Sequence, residues 1–302
     1  MNNSKGIYVE ISIKTSMDKL LEYTQTPDLH EKWDLRFSTI EYLPKDDAKA
    51  PQKFLYTTKI GFGLTVEGEG ESSGTRQGES GESTSALKFW SDQKISLIRS
   101  GSGYWKYIPN GETIRFLTWY DYSVRFGKVG EVFDKWIFRP LIGRVTAWSF
   151  DCLRIWMEEK IPPAVLLRKS LIQAVTNFVL AFIWIYQGTV PKLLFPDSGE
   201  LEILRGSRMF SGYESSMLLL IGLGEFVFGL FFLVLGRKFL HYLNIVVLVT
   251  LSIGAVISNP QIFVAPFNPA SLNLAMIALS IAAILNCDYL ATARNCLRKP
   301  QK

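Results

Sequence analysis

Between Ser215 and Gly236 the chain reads SSMLLLIGLGEFVFGLFFLVLG, an unbroken apolar run with one ionisable residue inside it, Glu225. About 30 Å of hydrocarbon calls for about 20 apolar residues in a helix. A run of this length and composition therefore predicts a membrane span. Ser215, Gly222, Gly229 and Gly236 recur every seven residues and give that helix one seam without bulky side chains, where another helix can approach closely. Glu225 lies one turn from Gly222. An ionised group facing lipid costs several kcal/mol, so Glu225 is expected to face the interior of a bundle, as a proton-linked or ligand-binding carboxylate or as a hydrogen-bonded packing residue.

Three further apolar segments follow the same rule, so the spans fall at about 170–187, 215–236, 239–258 and 270–287. Lys160, Arg168, Lys169, Arg237, Lys238, Arg294, Arg298, Lys299 and Lys302 fall on one side if four helices alternate, and Lys192, Arg205 and Arg208 on the other. The positive-inside rule then predicts a multi-pass protein of the cell membrane with both termini cytoplasmic. Gln173, Asn177 and Gln187 in the first span, with Lys192 just after it, are the polar groups expected near Glu225. Gln173 and Asn177 share a face suited to bonding it or to gluing helices together.

The first half of the chain is different in kind: charged, aromatic and short of long apolar runs. GIYVEISIK alternates with period two, a half-buried strand. TSMDKLLEYTQTPDLHEKWD supplies two short helices, with Pro27 opening the second. Strands are predicted at 37–43, 52–61, 64–73, 83–90, 95–108 and 112–126, separated by turns rich in Gly, Pro, Ser, Asn and Asp. From Glu131 to Lys160 apolar residues return at spacings of three and four, a closing helix that Pro140 kinks or divides. The predicted fold class is thus an α+β unit, a curved antiparallel sheet gripping a helix, followed by an all-α bundle of four membrane helices. The boundaries are 1–160 for the first unit, 161–169 for a hinge, 170–292 for the bundle and 293–302 for a basic tail.

Net charge is +5 with no Lys/Arg-rich tract, so no nucleic-acid partner is expected; anionic lipid suits the chain better. Cys152, Cys287 and Cys296 form no CxxC pair and no metal-ligand cluster. His30, placed on a helix surface, and His241, near a membrane boundary, have no Ser, Cys or acid arranged as nucleophile and base, so no catalytic residue is assigned. No phosphate loop or other cofactor motif is present, and no cofactor or metal is expected. Glu67, Glu69 and Glu71 share one strand face, read as solvated. Trp90, Tyr104, Trp119 and Trp136 are candidate pocket-lining aromatics, with Arg99, Arg115 and Asp121 to orient a polar head group.

The opening strand IYVEISI, the segment TPDLHEKWD and the aromatic closing helix resemble the START-like helix-grip superfamily, also called SRPBCC or polyketide-cyclase-like, over about residues 5–159. That resemblance implies a deep hydrophobic pocket for a lipid or another apolar small molecule. WIYQGTVPKLLFPDSGELEIL, with GLGEFVFG in the second span, resembles the DoxX-like family of small four-helix membrane proteins over about 168–292. A subunit of a thiosulfate:quinone oxidoreductase gives that family its name; the paired cysteines of some relatives have no counterpart here. Three functions follow as expectations. The first is a membrane-tethered binder of a lipid or small hydrophobic ligand. The second is a quinone-linked membrane oxidoreductase subunit with Glu225 as proton relay. The third is an assembly platform for a membrane-protein partner or a second copy of the chain.

Overall fold

The computed structural model describes residues 6–300 apart from 46, 48, 49, 62, 79, 80, 198, 207–209, 259, 265 and 267; Arg208 and Lys302 thus lie outside the described residues. The chain divides into two compact units, one built from residues up to Leu167 together with Ala291 onward, the other from Arg168–Leu290.

In the first unit, among the described residues, seven strands form one antiparallel sheet. They are β1 (Ile7–Ile13), β2 (Thr39–Tyr42), β3 (Gln52–Gly61), β4 (Leu64–Gln77), β5 (Ser83–Trp90), β6 (Ile98–Asn110) and β7 (Thr113–Val124), in the spatial order β1-β7-β6-β5-β4-β3-β2. Two short helices, α1 (Met17–Gln25) and α2 (Pro27–Trp33), connect β1 to β2 across the sheet. The strands match the alternation in the sequence, and Gly61 and Gly63 take positive φ (+96° and +75°) in the β3–β4 turn, which a side chain would oppose.

After β7 the backbone runs helically through α3 (Gly127–Phe133), a π-helical turn (Asp134–Phe138) and the long α4 (Arg139–Glu159). The expected division at Pro140 takes a specific form. Proline lacks an N–H and its ring crowds the preceding turn, and the wider π turn just before it relieves both. α4 lies in the grip of the sheet. Val9 and Ile13 of β1, Tyr107 of β6, Phe116 of β7 and Phe150 of α4 are all fully buried. The Phe116 and Phe150 rings stack at 4.5 Å.

The stretch expected as a basic tail belongs to this unit. Leu297 exchanges two backbone hydrogen bonds of 2.9 Å with Glu10 at the free edge of β1, and Cys296 is buried with its thiol on the Ala147 carbonyl oxygen. Asp151 of α4 accepts from the Thr292 N–H and the Asn295 side chain. An edge strand exposes unpaired backbone groups, and the returning chain satisfies two of them.

In the second unit four helices are long and apolar enough to cross a membrane: Pro163–Leu194, which begins within the first unit, Glu214–Val234, Lys238–Ile257 and Pro269–Asn286. They contain α5 (Pro163–Thr189), α7 (Glu214–Val234), α8 (Lys238–Ser258) and α9 (Pro269–Asn286); the short α6 (Glu200–Gly206) lies between α5 and α7. The glycine seam of α7 takes α5. A Cβ at Gly222 would lie 2.8 Å from the Gly188 carbonyl oxygen, and one at Gly229 2.9 Å from that of Ala181. Only glycine permits so close a backbone approach.

Candidate functional site

Alternation along β6 and β7 decides which predicted residues reach the interior of the grip. Trp105 and Tyr107 of β6 and Ile114, Phe116, Thr118, Tyr120 and Tyr122 of β7 are buried against the helices. Tyr104, Arg115, Trp119 and Asp121 therefore point to the outer face, as does Trp90 of β5, which pairs with Ser100. The predicted pocket residues do not line the interior. Four of them fall in two grooves open to solvent. Trp90 and Asp121 line one of about 500 Å³, and Tyr104 and Trp119, stacked at 6.0 Å, line another of about 400 Å³.

Arg115 is committed to Glu10 at 2.8 Å, and Tyr8 donates to the same carboxylate. Burial raises the Glu10 carboxyl and these two donors more than reverse it, leaving it below the usual range. Arg99 is exposed at the bulge between Ile98 and Ser100, and Trp136 stands 72% exposed on the helical run after β7. Glu67 and Glu69 are exposed, as their outward register requires.

The interior is instead built from residues outside the predicted set. Phe54, Tyr56 and Ile40 form one apolar cluster with Phe37 and Phe89 beside it, distinct from the larger core under α4. Gly70 and Gly101 let the Phe54 and Phe89 rings lie flat on the sheet; a Cβ at either would meet the ring at 2.2–2.3 Å. Between the two clusters sits Arg36, its guanidinium 5.6 Å from the Phe37 ring and 5.3 Å from the Tyr120 ring. Asp34, fully buried, holds it at 2.5 Å.

His30 is buried as well, 3.1 Å from Asp34, and not on the surface as its place in DLHEKW suggests. With Trp33 it forms the inward side of α2, and its ring stands edge-on to Trp105. Burial alone would push the Asp34 carboxyl up. The neighbouring Arg36 charge overrides this and holds it far below the ordinary carboxylate range. Arg139 makes a second such cluster: it pairs with Asp134 and Asp121 at 2.8 Å and lies 4.3 Å from the Tyr122 ring.

In the membrane unit the predicted polar residues split into two groups. Lys192 lies 3.0 Å from Glu225 and 3.4 Å from Glu200, and it donates to the backbone carbonyl of Gln187, whose predicted role was as a side chain. Gln173 and Asn177 bond each other, and Gln173 meets His241 at 3.1 Å; neither reaches Glu225. Geometry excludes the expected contact. α5 and α7 run antiparallel with Gly188 level with Gly222, and Gln173 lies fifteen residues before Gly188, about 22 Å along the helix. Further polar links cross the bundle: Trp184 donates to Asn244 (2.7 Å), which donates to Ser280 (2.8 Å). His241 and Asn244, one turn apart on α8, were legible only as a repeated polar face inside an apolar run. Among the described residues no cluster of His, Cys, Asp and Glu suits a metal ion, and the three cysteines are free.

The DoxX-like family matches residues 181–281. The uncharacterized membrane protein YndG of Bacillus subtilis (strain 168) is 49% identical over 186 residues, which are 61% of this chain and 69% of that protein. Among solved structures, a protein from Thermus thermophilus is similar at a TM-score of 0.35 and 14% identity, covering 45% of this chain and 86% of its own. The STAR-related lipid transfer protein (fragment) from Xanthomonas axonopodis gives 0.33 and 14%, covering 41% and 80%.

Proposed function

Because the chain belongs to the family of the Bacillus subtilis membrane protein, with a DoxX-like membrane half, we propose that it is a membrane-tethered binder of a lipid or other small apolar molecule. Its helix-grip unit is the receptor and its four-helix bundle the anchor. The observation that supports this reading is the inner face of the sheet, where the Arg36 guanidinium lies against the Phe37 and Tyr120 rings, and Tyr56 and Phe89 extend the aromatic cluster beside Phe37. Aromatic walls around a charged group fit a ligand that is apolar along most of its length and polar at one end. A receptor kept at the bilayer meets such ligands at high effective concentration. In this reading the protein lies in the cell membrane with the helix-grip unit in the cytoplasm, in keeping with the grouping of Lys160, Arg168, Lys169, Arg237 and Lys238 on one side of alternating spans.

Native mass spectrometry of the full chain released from nanodiscs tests the proposal. A defined lipid or isoprenoid retained by the parent and lost from Leu87→Trp, which fills the half-buried inner face of β5, is the expected result. Retention of nothing, or of a quinone or flavin indifferent to Leu87→Trp, overturns it, and the latter outcome favours the redox function.

A further inference from the structure

The helical run after β7 carries a second apolar stripe that the core does not use. Phe126, Val129, Val132, Trp136, Ile137 and Leu141 are each between 54% and 77% exposed. Their spacing of three and four aligns all but Phe126 along one side of α3, the π turn and the start of α4. The opposite side is already occupied, since Asp134 is buried and Phe138 and Ile142 pack on the core. An amphipathic surface helix buries one stripe; this one is apolar on both.

The run also begins on two consecutive left-handed residues, Phe126 (φ +69°) and Gly127 (φ +54°). A bulky aromatic in that region is a cost that a structure keeps where placement matters. Here the turn leaves the Phe126 ring in the open at the head of the stripe.

We infer that this stripe docks on the surface of a bilayer containing anionic lipid. Three observations select that occupant. The exposed charges flanking the stripe are Lys128, Lys135 and Arg144 against Glu131 alone, and the Lys135 ammonium lies 5.6 Å from the Trp136 ring. Basic residues framing Trp, Leu, Ile and Val are the composition of helices that lie in the membrane interface. The other acid of the segment, Asp134, is neutralised by Arg139 and bonded by Tyr122, so it adds no repulsion toward anionic headgroups. Finally, three residues separate the end of α4 from the start of α5, so the unit bearing the stripe is held on a short tether to a membrane span. The inference is independent of the ligand proposal.

Site-directed spin labels test it on the full chain in nanodiscs of phosphatidylcholine and phosphatidylglycerol. Labels are placed through Val129→Cys, Trp136→Cys or Leu141→Cys in a Cys287→Ser background, Cys152 and Cys296 being buried. The expected result is collision with lipid-dissolved oxygen in excess of collision with an aqueous nickel chelate, and the reverse at Glu112→Cys, an exposed control. Charge reversal at Lys128, Lys135 and Arg144 together removes the lipid signature. A stripe as open to the chelate as the Glu112 control overturns the inference. So does a stripe shielded from both reagents, which assigns it to protein, whether a second copy or this chain's own bundle.

Discussion

Asp151 and Asn295 are 144 positions apart and share a 2.9 Å hydrogen bond, made by a carboxylate with no solvent exposure. The same carboxylate accepts the Thr292 N–H and pairs with Arg154 at 2.7 Å. Three donors thus converge on one buried acid, two of them from the returning chain.

Asp151→Ala takes the acceptor from the Thr292 N–H and the Asn295 side chain and leaves Arg154 with Glu158 alone, and each buried donor left unsatisfied costs about 1–3 kcal/mol. The expected outcome is a large fall in the unfolding temperature of the helix-grip unit, followed by near-ultraviolet dichroism in nanodiscs. Truncation before Thr292 produces a comparable fall. An unchanged transition in the truncated chain would show that the edge of β1 needs no cover.

Asp34 makes the stability of the same unit depend on pH in a definite direction. Its native carboxyl stays ionised well below the ordinary range, so in acid the unfolded chain binds a proton that the native state refuses. The stabilisation is complete above the unfolded value of about 3.9 and is lost as pH falls below it toward the native value. Asp34→Asn gives up about 3–5 kcal/mol at neutral pH by leaving Arg36 without its counter-charge. It also flattens the acid limb of a melting-temperature profile. A variant with the parental acid slope would assign that slope to other carboxylates.

The α5–α7 contact predicts an asymmetry between two neighbouring glycines. A Cβ at Gly222 meets backbone at 2.8 Å and side chains of Leu193 and Lys192 within 3.0 Å, whereas one at Gly224 meets nothing within 4 Å. Gly222→Val is expected to cost at least about 1–3 kcal/mol of bundle stability by overpacking, and Gly224→Val little. Unfolding in mixed micelles with increasing denaturing detergent measures both. Equal sensitivity would mean that the seam is not where the helices meet.

Lys192 and Glu225 form an ion pair inside the bundle, with side chains 9% and 14% exposed. Lys192→Met leaves a carboxylate without its cation and is expected to cost about 3–5 kcal/mol. Adding Glu225→Gln recovers most of that loss. A double-mutant cycle in the same micelle assay gives the coupling, and additive losses would place the two groups apart.

The strands and spans were legible because their signals are local: period two in GIYVEISIK, and apolar runs of membrane length. The faces were not. β7 carries aromatic or polar groups on both sides, Tyr120 and Tyr122 inward and Trp119 and Asp121 outward, and alternation alone does not say which set the helix covers. The partner of Glu225 was half legible. Lys192 was within sequence reach of a membrane-surface carboxylate, but excluding Gln173 required the antiparallel alignment set by Gly188 and Gly222. Least legible was the return of residues 291–300. Its anchors are one thiol, one asparagine side chain and three backbone bonds, which leave no periodic trace.

That return has a consequence for how the protein is made. Synthesis delivers the seven strands and α4 first, then all four spans, and only then the segment that closes the edge of β1 and satisfies Asp151. Until the fourth span has emerged, the first-made unit waits with a buried carboxylate short of two donors. Completion of its fold is thereby tied to completion of the membrane half, so a chain stalled between spans carries an unfinished first unit.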